Sequence, residues 1–185
     1  MLKNTTVSWG RISRSLHWLS AVVVFGLFAL GWWMVDLNYY SDWYKTAPHW
    51  HKSIGILLAL FTLARVLWRL AQPTPKALGK SWEIAAAHLI HCLLYLLMLA
   101  IFFSGYLIST ADGRGIEIFD WFTLPSMGEL FQNQEDTAGD VHRWLAYCLI
   151  GLAVLHAVAA LKHHIFDKDQ TLVRMLRNTK SKDIQ

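Results

Sequence analysis

From residue 16 to 35 the chain carries no Lys, Arg, Asp or Glu, and the same holds for 84–111 and 144–161. A further apolar run, 54–64, extends to Leu70 across Arg65 and Arg69. About 20 apolar residues in a helix cross roughly 30 Å of hydrocarbon. Charge-free runs of that length leave few alternatives to membrane-spanning helices. The composition agrees, since only 16% of the 185 residues are charged, against about 25% in a typical soluble domain. The expected fold is all-α: a four-helix transmembrane bundle with helices at about 9–36, 48–70, 82–110 and 139–165, a single integral-membrane domain over 1–185. Arg65 is the costliest residue in this scheme and has to snorkel or find a partner.

The ten tryptophans fall near the ends of these segments or in the connections, as expected for aromatic belts at the two interfaces. Lys and Arg are distributed unevenly. The N-terminal segment, the 65–80 connection and the C-terminal tail hold 13 of the 17, while Lys45, Lys52, Arg114 and Arg143 are the remaining four. By the positive-inside rule both termini are cytoplasmic. The pI near 9.1 therefore reflects topology and implies no nucleic-acid binding. The basic, polar tail 171–183 is expected to lie on an anionic leaflet. The first helix is bulky, Trp-rich and followed by no small-residue cleavage site, so it does not read as a removable leader. Cys92 and Cys148 are expected to be small buried apolar residues. Without a Cys-x-x-Cys-His motif, covalent c-type haem attachment is excluded.

Pro48 suits the first turn of the second helix, and Pro73 with Pro75 stops that helix. The connection 112–140 is the longest, with seven acidic residues and one Arg, a net charge of −6. Its Asp112-Gly113-Arg114-Gly115 reads as a turn, and 123–126 as irregular chain.

Chemistry concentrates in the histidines. His17 and His156 lie at similar depth on the cytoplasmic side, and His51 and His142 near the outer starts of their helices. His142 and His156 are 14 residues apart, about 21 Å along a helix axis. They return to within roughly 40° of one direction. One helix face thus presents two ligands at two membrane levels, which suits two b-type haems with bis-histidine iron: His17 with His156, His51 with His142. That spacing is too long for a dinuclear metal centre. His49 points away from His51 and is expected at the interface, whereas Gly55, one turn beyond His51, leaves room for a flat macrocycle. Haem propionates call for cationic partners. Lys52 and Arg143 stand beside the outer ligands, and Arg14 and Arg65 are candidates on the inner side. His88, His91, His163 and His164 cluster toward the inner side and could border a quinone or relay protons, or simply hydrogen-bond between helices.

The chain resembles the bacterial cytochrome b561 family of four-helix, di-haem inner-membrane cytochromes. The resemblance covers nearly the whole chain. It rests on Ser15-Leu-His17-Trp18, His51-Lys-Ser-Ile-Gly55, Arg65 with Arg69 and then Pro73-Thr-Pro75, Ala87-His88-Leu-Ile-His91, and Gly151-Leu-Ala-Val-Leu-His156 with His163-His164. It implies two haem b per chain on the four histidines paired above, a multi-pass bacterial inner-membrane location, and electron transfer to membrane quinone. One type in the family oxidises superoxide at the outer face and reduces ubiquinone. Against that substrate, the acidic connection 112–140 repels anions. A neutral or cationic donor, such as a small redox protein, is the competing expectation. Another is a cytochrome b subunit anchoring a periplasmic dehydrogenase or hydrogenase. A non-redox haem sensor or carrier would need an open iron site, which four good ligands for two irons argue against.

Overall fold

The computed structural model describes residues 1–177. Four long helices dominate: α1 (Arg11–Met34), α2 (Thr46–Leu70), α3 (Ser81–Thr110) and, after a small hairpin, α4 (Gln134–Ile165). Each is long and apolar enough to cross a membrane. The hairpin pairs β1 (Ile116–Ile118) with β2 (Phe122–Leu124) antiparallel, and a short α5 (Val173–Leu176) follows in the tail.

Burial in these helices is inverted relative to a soluble bundle. Leu19, Val22, Leu63, Leu96, Leu99, Phe103 and Val158 are exposed, while Ser20, Ser53, Thr62, Ser104 and Thr110 are buried. Lipid is as apolar as Leu, so outward-facing Leu costs nothing in a bilayer. Small residues facing inward let helices approach closely. Three of these hydroxyls turn back on their own helices: Ser20 donates to the Leu16 carbonyl at 2.7 Å, Ser104 to the Ile101 carbonyl at 3.0 Å and Thr110 to the Tyr106 carbonyl at 2.8 Å. Both cysteines are exposed, correcting the expectation that they are buried. A thiol is apolar enough to face hydrocarbon.

The helices divide between two compact units. The first comprises Met1–Ala21, Phe61–Leu94 and Gly151–Gln185, and the second Val22–Leu60 and Tyr95–Ile150. Each therefore holds a segment of all four long helices.

In the first unit, three stretches distant in sequence are stitched together. Asn4 donates to the Pro73 carbonyl at 3.2 Å. The Lys76 amide donates to the Thr6 carbonyl at 2.9 Å. Arg174 Nη1 donates to the Lys76 carbonyl at 2.7 Å, and Trp18 Nε1 to the Met175 carbonyl at 2.9 Å. Arg174 is only 5% exposed, and burial lowers its pKa from the ordinary value. The tail up to residue 177 thus turns the Arg174 cation inward, in a segment expected to lie on an anionic leaflet. The remainder of that tail, 178–183, lies outside the described residues.

In the second unit, α4 begins at Gln134, five residues before the expected start. Gln134 is 1% exposed and acts from both ends of its amide. It donates to the Leu107 carbonyl at 2.9 Å and accepts from the Leu130 amide at 2.7 Å. Asn133 takes a positive φ of 56° just before the helix. Glu135 and Asp136 occupy its first turn, where carboxylates complement the helix dipole. α2 starts at Thr46, so Pro48 still falls in a turn whose amides lack intrahelical acceptors. The hairpin, whose second strand runs into the 123–126 stretch expected to be irregular, buries Ile116 and Ile118 and exposes Glu117 between them. Ser53 of α2 pins it, accepting from the Phe119 amide at 3.0 Å and donating to the Glu117 carbonyl at 3.3 Å.

Candidate haem centres

The second unit brings His51 and His142 together with ring centroids 6.3 Å apart and planes inclined at 70°. The first unit brings His17 and His156 together at the same 6.3 Å, inclined at 67°. Two histidine–metal bonds of about 2 Å, plus the distance from each bonding nitrogen to its ring centroid, place the centroids roughly 6 Å apart. Both pairs have the spacing that bis-imidazole iron requires. His91 also contacts His156, but at 5.0 Å, too close for a metal between those two rings.

The groups behind the rings bear on the fit. His142 Nδ1 lies 3.1 Å from the Ile101 carbonyl and 3.0 Å from Ser104 Oγ. The Ser104 hydroxyl donates to that same carbonyl at 3.0 Å. Both oxygens therefore accept from His142, the proton rests on Nδ1, and Nε2 keeps a bare lone pair for a metal. A ligating histidine commonly donates its other N–H in this way. Glycines back the two rings of this unit. A Cβ at Gly31 would lie 3.1 Å from His51 Cε1, and one at Gly105 would lie 3.2 Å from His142 Cε1. A Cβ at Gly55 would meet nothing within 4 Å, so the face one turn beyond His51 can take a planar group. These residues fit a b-type haem.

At the other pair, Arg65 Nη2 lies 3.0 Å from His17 Nδ1. This places Arg65 against the His17 ring. Arg14 is half-buried in the first turn of α1. Arg143 is tied to Asp140 at 2.8 Å in an exposed ion pair, and Lys52 is exposed. His49 packs edge-on against Phe119 of the hairpin, with centroids 5.8 Å apart.

The four remaining histidines separate. His88 and His164 are exposed and His91 lies against His156. His163 is half-buried in a network of charged groups, with Nδ1 2.8 Å from Asp169 Oδ2 and 3.0 Å from Asp167 Oδ2. Lys162 bridges Asp167 at 2.6 Å and Glu83 at 2.7 Å. Burial pushes the Asp169 carboxyl up, but the Thr171 amide and hydroxyl and the His163 ring together hold it below its ordinary value. On the hairpin side, hydrogen bonds from Arg114 lower the Asp112 carboxyl, and the same contact raises Arg114.

Sequence reasoning passed over Ser104, Gly31, Gly105 and Asp169. Ser104-Gly105, the only Ser-Gly pair in the chain, interrupts a bulky apolar run and was a usable signal. Asp169 carried none, because its link to His163 depends on how the chain turns after α4.

Four membrane-spanning helices with imidazoles paired at metal-ligand spacing define a class: an integral-membrane b-type cytochrome. The family model for prokaryotic cytochrome b561 matches residues 8–178, and the chain belongs to that family. It is 51% identical over 180 residues to "Cytochrome b561 homolog 2" of Escherichia coli (strain K12), covering 96% of each chain. It is 32% identical to "Probable superoxide oxidase CybB" of Yersinia pestis, over 87% of this chain and 91% of that one. "Cytochrome b561 homolog 1" of Escherichia coli (strain K12) is 27% identical, over 89% and 94% respectively. The protein is thus a multi-pass bacterial inner-membrane cytochrome that binds haem b and transfers electrons.

Proposed function

We propose that the chain carries electrons one at a time from a donor at the periplasmic face, through two bis-histidine haems b, to ubiquinone near the cytoplasmic side. The observation that carries this reading is the repeated 6.3 Å imidazole spacing. Bound haem supplies reversible one-electron redox chemistry. The protein supplies ligands, orientation and field: His51 with His142 at one level, and His17 with His156 at the other. Both termini face the cytoplasm in this reading. Each donor molecule loses one electron, and the quinone takes up two electrons and two protons. Among the four candidate histidines, His163 is the best placed to pass a proton, because Asp169, 2.8 Å from Nδ1, orients its ring.

Superoxide is one donor consistent with the 32% identity to a protein named for that activity. The charge of the periplasmic side favours a neutral or cationic donor. Arg114 and Arg143 are each paired with a carboxylate, so neither offers an unpaired charge to an approaching anion.

The test is the purified holoprotein in ubiquinone-containing vesicles, with haem quantified per chain and quinol formation followed. A superoxide generator and a small cationic redox protein are supplied in separate arms. Two haems per chain and quinol formation with either donor are expected. One haem per chain sinks the two-level arrangement, and reduction of haem without quinol formation sinks the quinone assignment. Rising salt should slow a cationic donor and speed an anionic one.

A further inference from the structure

We propose that the tip of the β1–β2 hairpin is the docking surface for a small cationic redox protein, which meets the chain at the Trp121 indole with the carboxylates of Glu117 and Asp120 beside it. This inference rests on the reading above that electrons enter from a donor at the periplasmic face.

The tip is apolar where a water-facing turn has no need to be. Trp121 is 70% exposed, and Phe122 next to it is exposed too. Trp121 lies 11 residues beyond the end of α3 and 13 before the start of α4. It is therefore not at the end of a spanning helix, where belt tryptophans sit. An exposed apolar patch rimmed by polar groups marks contact with a protein or a membrane, and tryptophan is enriched among the anchors of protein interfaces. Charge decides between the two. The unit that holds the hairpin, Val22–Leu60 with Tyr95–Ile150, carries nine carboxylates and four Lys or Arg, a net charge of −5 in a chain of +4. On the hairpin itself Ile116 and Ile118 are buried, while Glu117 on the opposite face and Asp120 in the turn are exposed. Such a surface repels anionic headgroups and attracts a positively charged protein from a distance.

The tip is also mounted on the helix that carries His51. Phe119 has a positive φ of 45°, a strained conformation for a bulky side chain, and its amide donates to Ser53 Oγ at 3.0 Å. The Phe119 ring packs edge-on against Trp50, with centroids 5.7 Å apart, and lies 5.5 Å from the Trp121 ring. Trp121, Phe119 and Trp50 thus form a run of aromatic rings from the exposed tip to the residue just before His51. A donor seated on Trp121 is brought to the part of the chain where the outer ligand stands, and a surface already ordered loses little entropy on binding. One electron leaves the donor, which is oxidised, and the cytochrome is reduced by one. No bond forms or breaks, and no proton moves.

The experiment measures binding of a small cationic c-type cytochrome to the holoprotein in nanodiscs of neutral lipid, with both proteins oxidised so that no turnover occurs. Binding that weakens as salt rises is expected in the parent. Trp121→Ala should weaken it by roughly tenfold or more. Glu117→Gln with Asp120→Asn should weaken it as well and flatten the salt dependence. Asp36→Asn with Glu129→Gln makes the same change in charge outside the hairpin and should cost much less. Haem content and absorption spectrum should stay those of the parent in all three variants. If Trp121→Ala loses haem, the Glu117 and Asp120 variant decides. No binding to the parent overturns the proposal, as do hairpin variants that bind like the parent, which would leave Trp121 as a membrane-belt residue. Equal losses in the two double variants also overturn it, because net charge alone would then account for the attraction. Quinol formation by chemically reduced holoprotein in ubiquinone-containing vesicles bypasses the donor, so its absence defeats the underlying reading while the binding result stands.

Discussion

The imidazoles of His51 and His142 each rest on a glycine of a neighbouring helix, and that contact leaves no room for a methyl group. A Cβ at 3.1–3.2 Å from ring carbon is inside ordinary van der Waals contact, so the ring or the helix has to move. Gly31→Ala and Gly105→Ala are therefore expected to reduce haem occupancy at that level or shift its low-spin spectrum, and to leave the His17 level intact. Gly139→Ala is the control. Its Cβ would meet nothing within 4 Å, and Ala is the better helix former by up to about 1 kcal/mol. Haem content and absorption spectra of the three variants check this. The histidines give a second residue-scale prediction. His51→Ala and His142→Ala should lose one haem, and His17→Ala and His156→Ala the other. His91→Ala should keep both, because its ring is too close to His156 to share an iron. Loss of a haem in His91→Ala, with both kept in His17→Ala, would reassign the ligand.

At the scale of elements, one buried hydroxyl ties α2 to the hairpin by two hydrogen bonds. Ser53 is two residues from His51 and fully buried, so Ser53→Ala removes both of its bonds to the hairpin. A loss of about 1 kcal/mol per bond is expected, seen as a lower melting temperature and faster proteolysis within 119–121. The turn after α4 is sensitive to pH through Asp169. Its carboxyl is held below the ordinary value of 3.8, so the order it confers is complete above that pH and lost as pH falls through the lower, folded value. Hydrogen exchange at the Thr171 amide, which donates to Asp169 Oδ1 at 2.7 Å, should accelerate only below pH 3.8. In Asp169→Ala it should be fast at every pH. The long helices were legible in the sequence because their signal is one of mean composition over 20 residues. So were the pairings of His17 with His156 and His51 with His142, which follow from helical depth. The start of α4 was not, because Gln134 anchors it by reaching the Leu107 carbonyl, a contact 27 residues back. The hairpin was missed for a related reason. Three-residue strands leave little pattern, and this pair is held by Ser53, 64 residues away from Glu117. Arg65 stands out in the sequence as a costly residue that needs a partner, and the structure sets it against the His17 ring.

For the whole molecule, the asymmetric distribution of basic residues predicts both termini in the cytoplasm. Reporter enzymes active only in the periplasm should stay silent when fused at the C-terminus and be active when inserted at the tip of the 119–121 turn. The reverse pattern would invert the proposed direction of electron flow. The stitching of Thr6, Lys76 and Arg174 also bears on the order of synthesis. The Trp18–Met175 hydrogen bond joins residues 157 positions apart, and that of Arg174 to Lys76 spans 98. A ribosome makes all four long helices before it makes either donor or acceptor at the tail end of these bonds. Until residues 174 and 175 emerge, the chain is an intermediate in which the Trp18 indole and the Lys76 carbonyl lack these partners. A stop codon just before Val173 would leave both groups permanently without them.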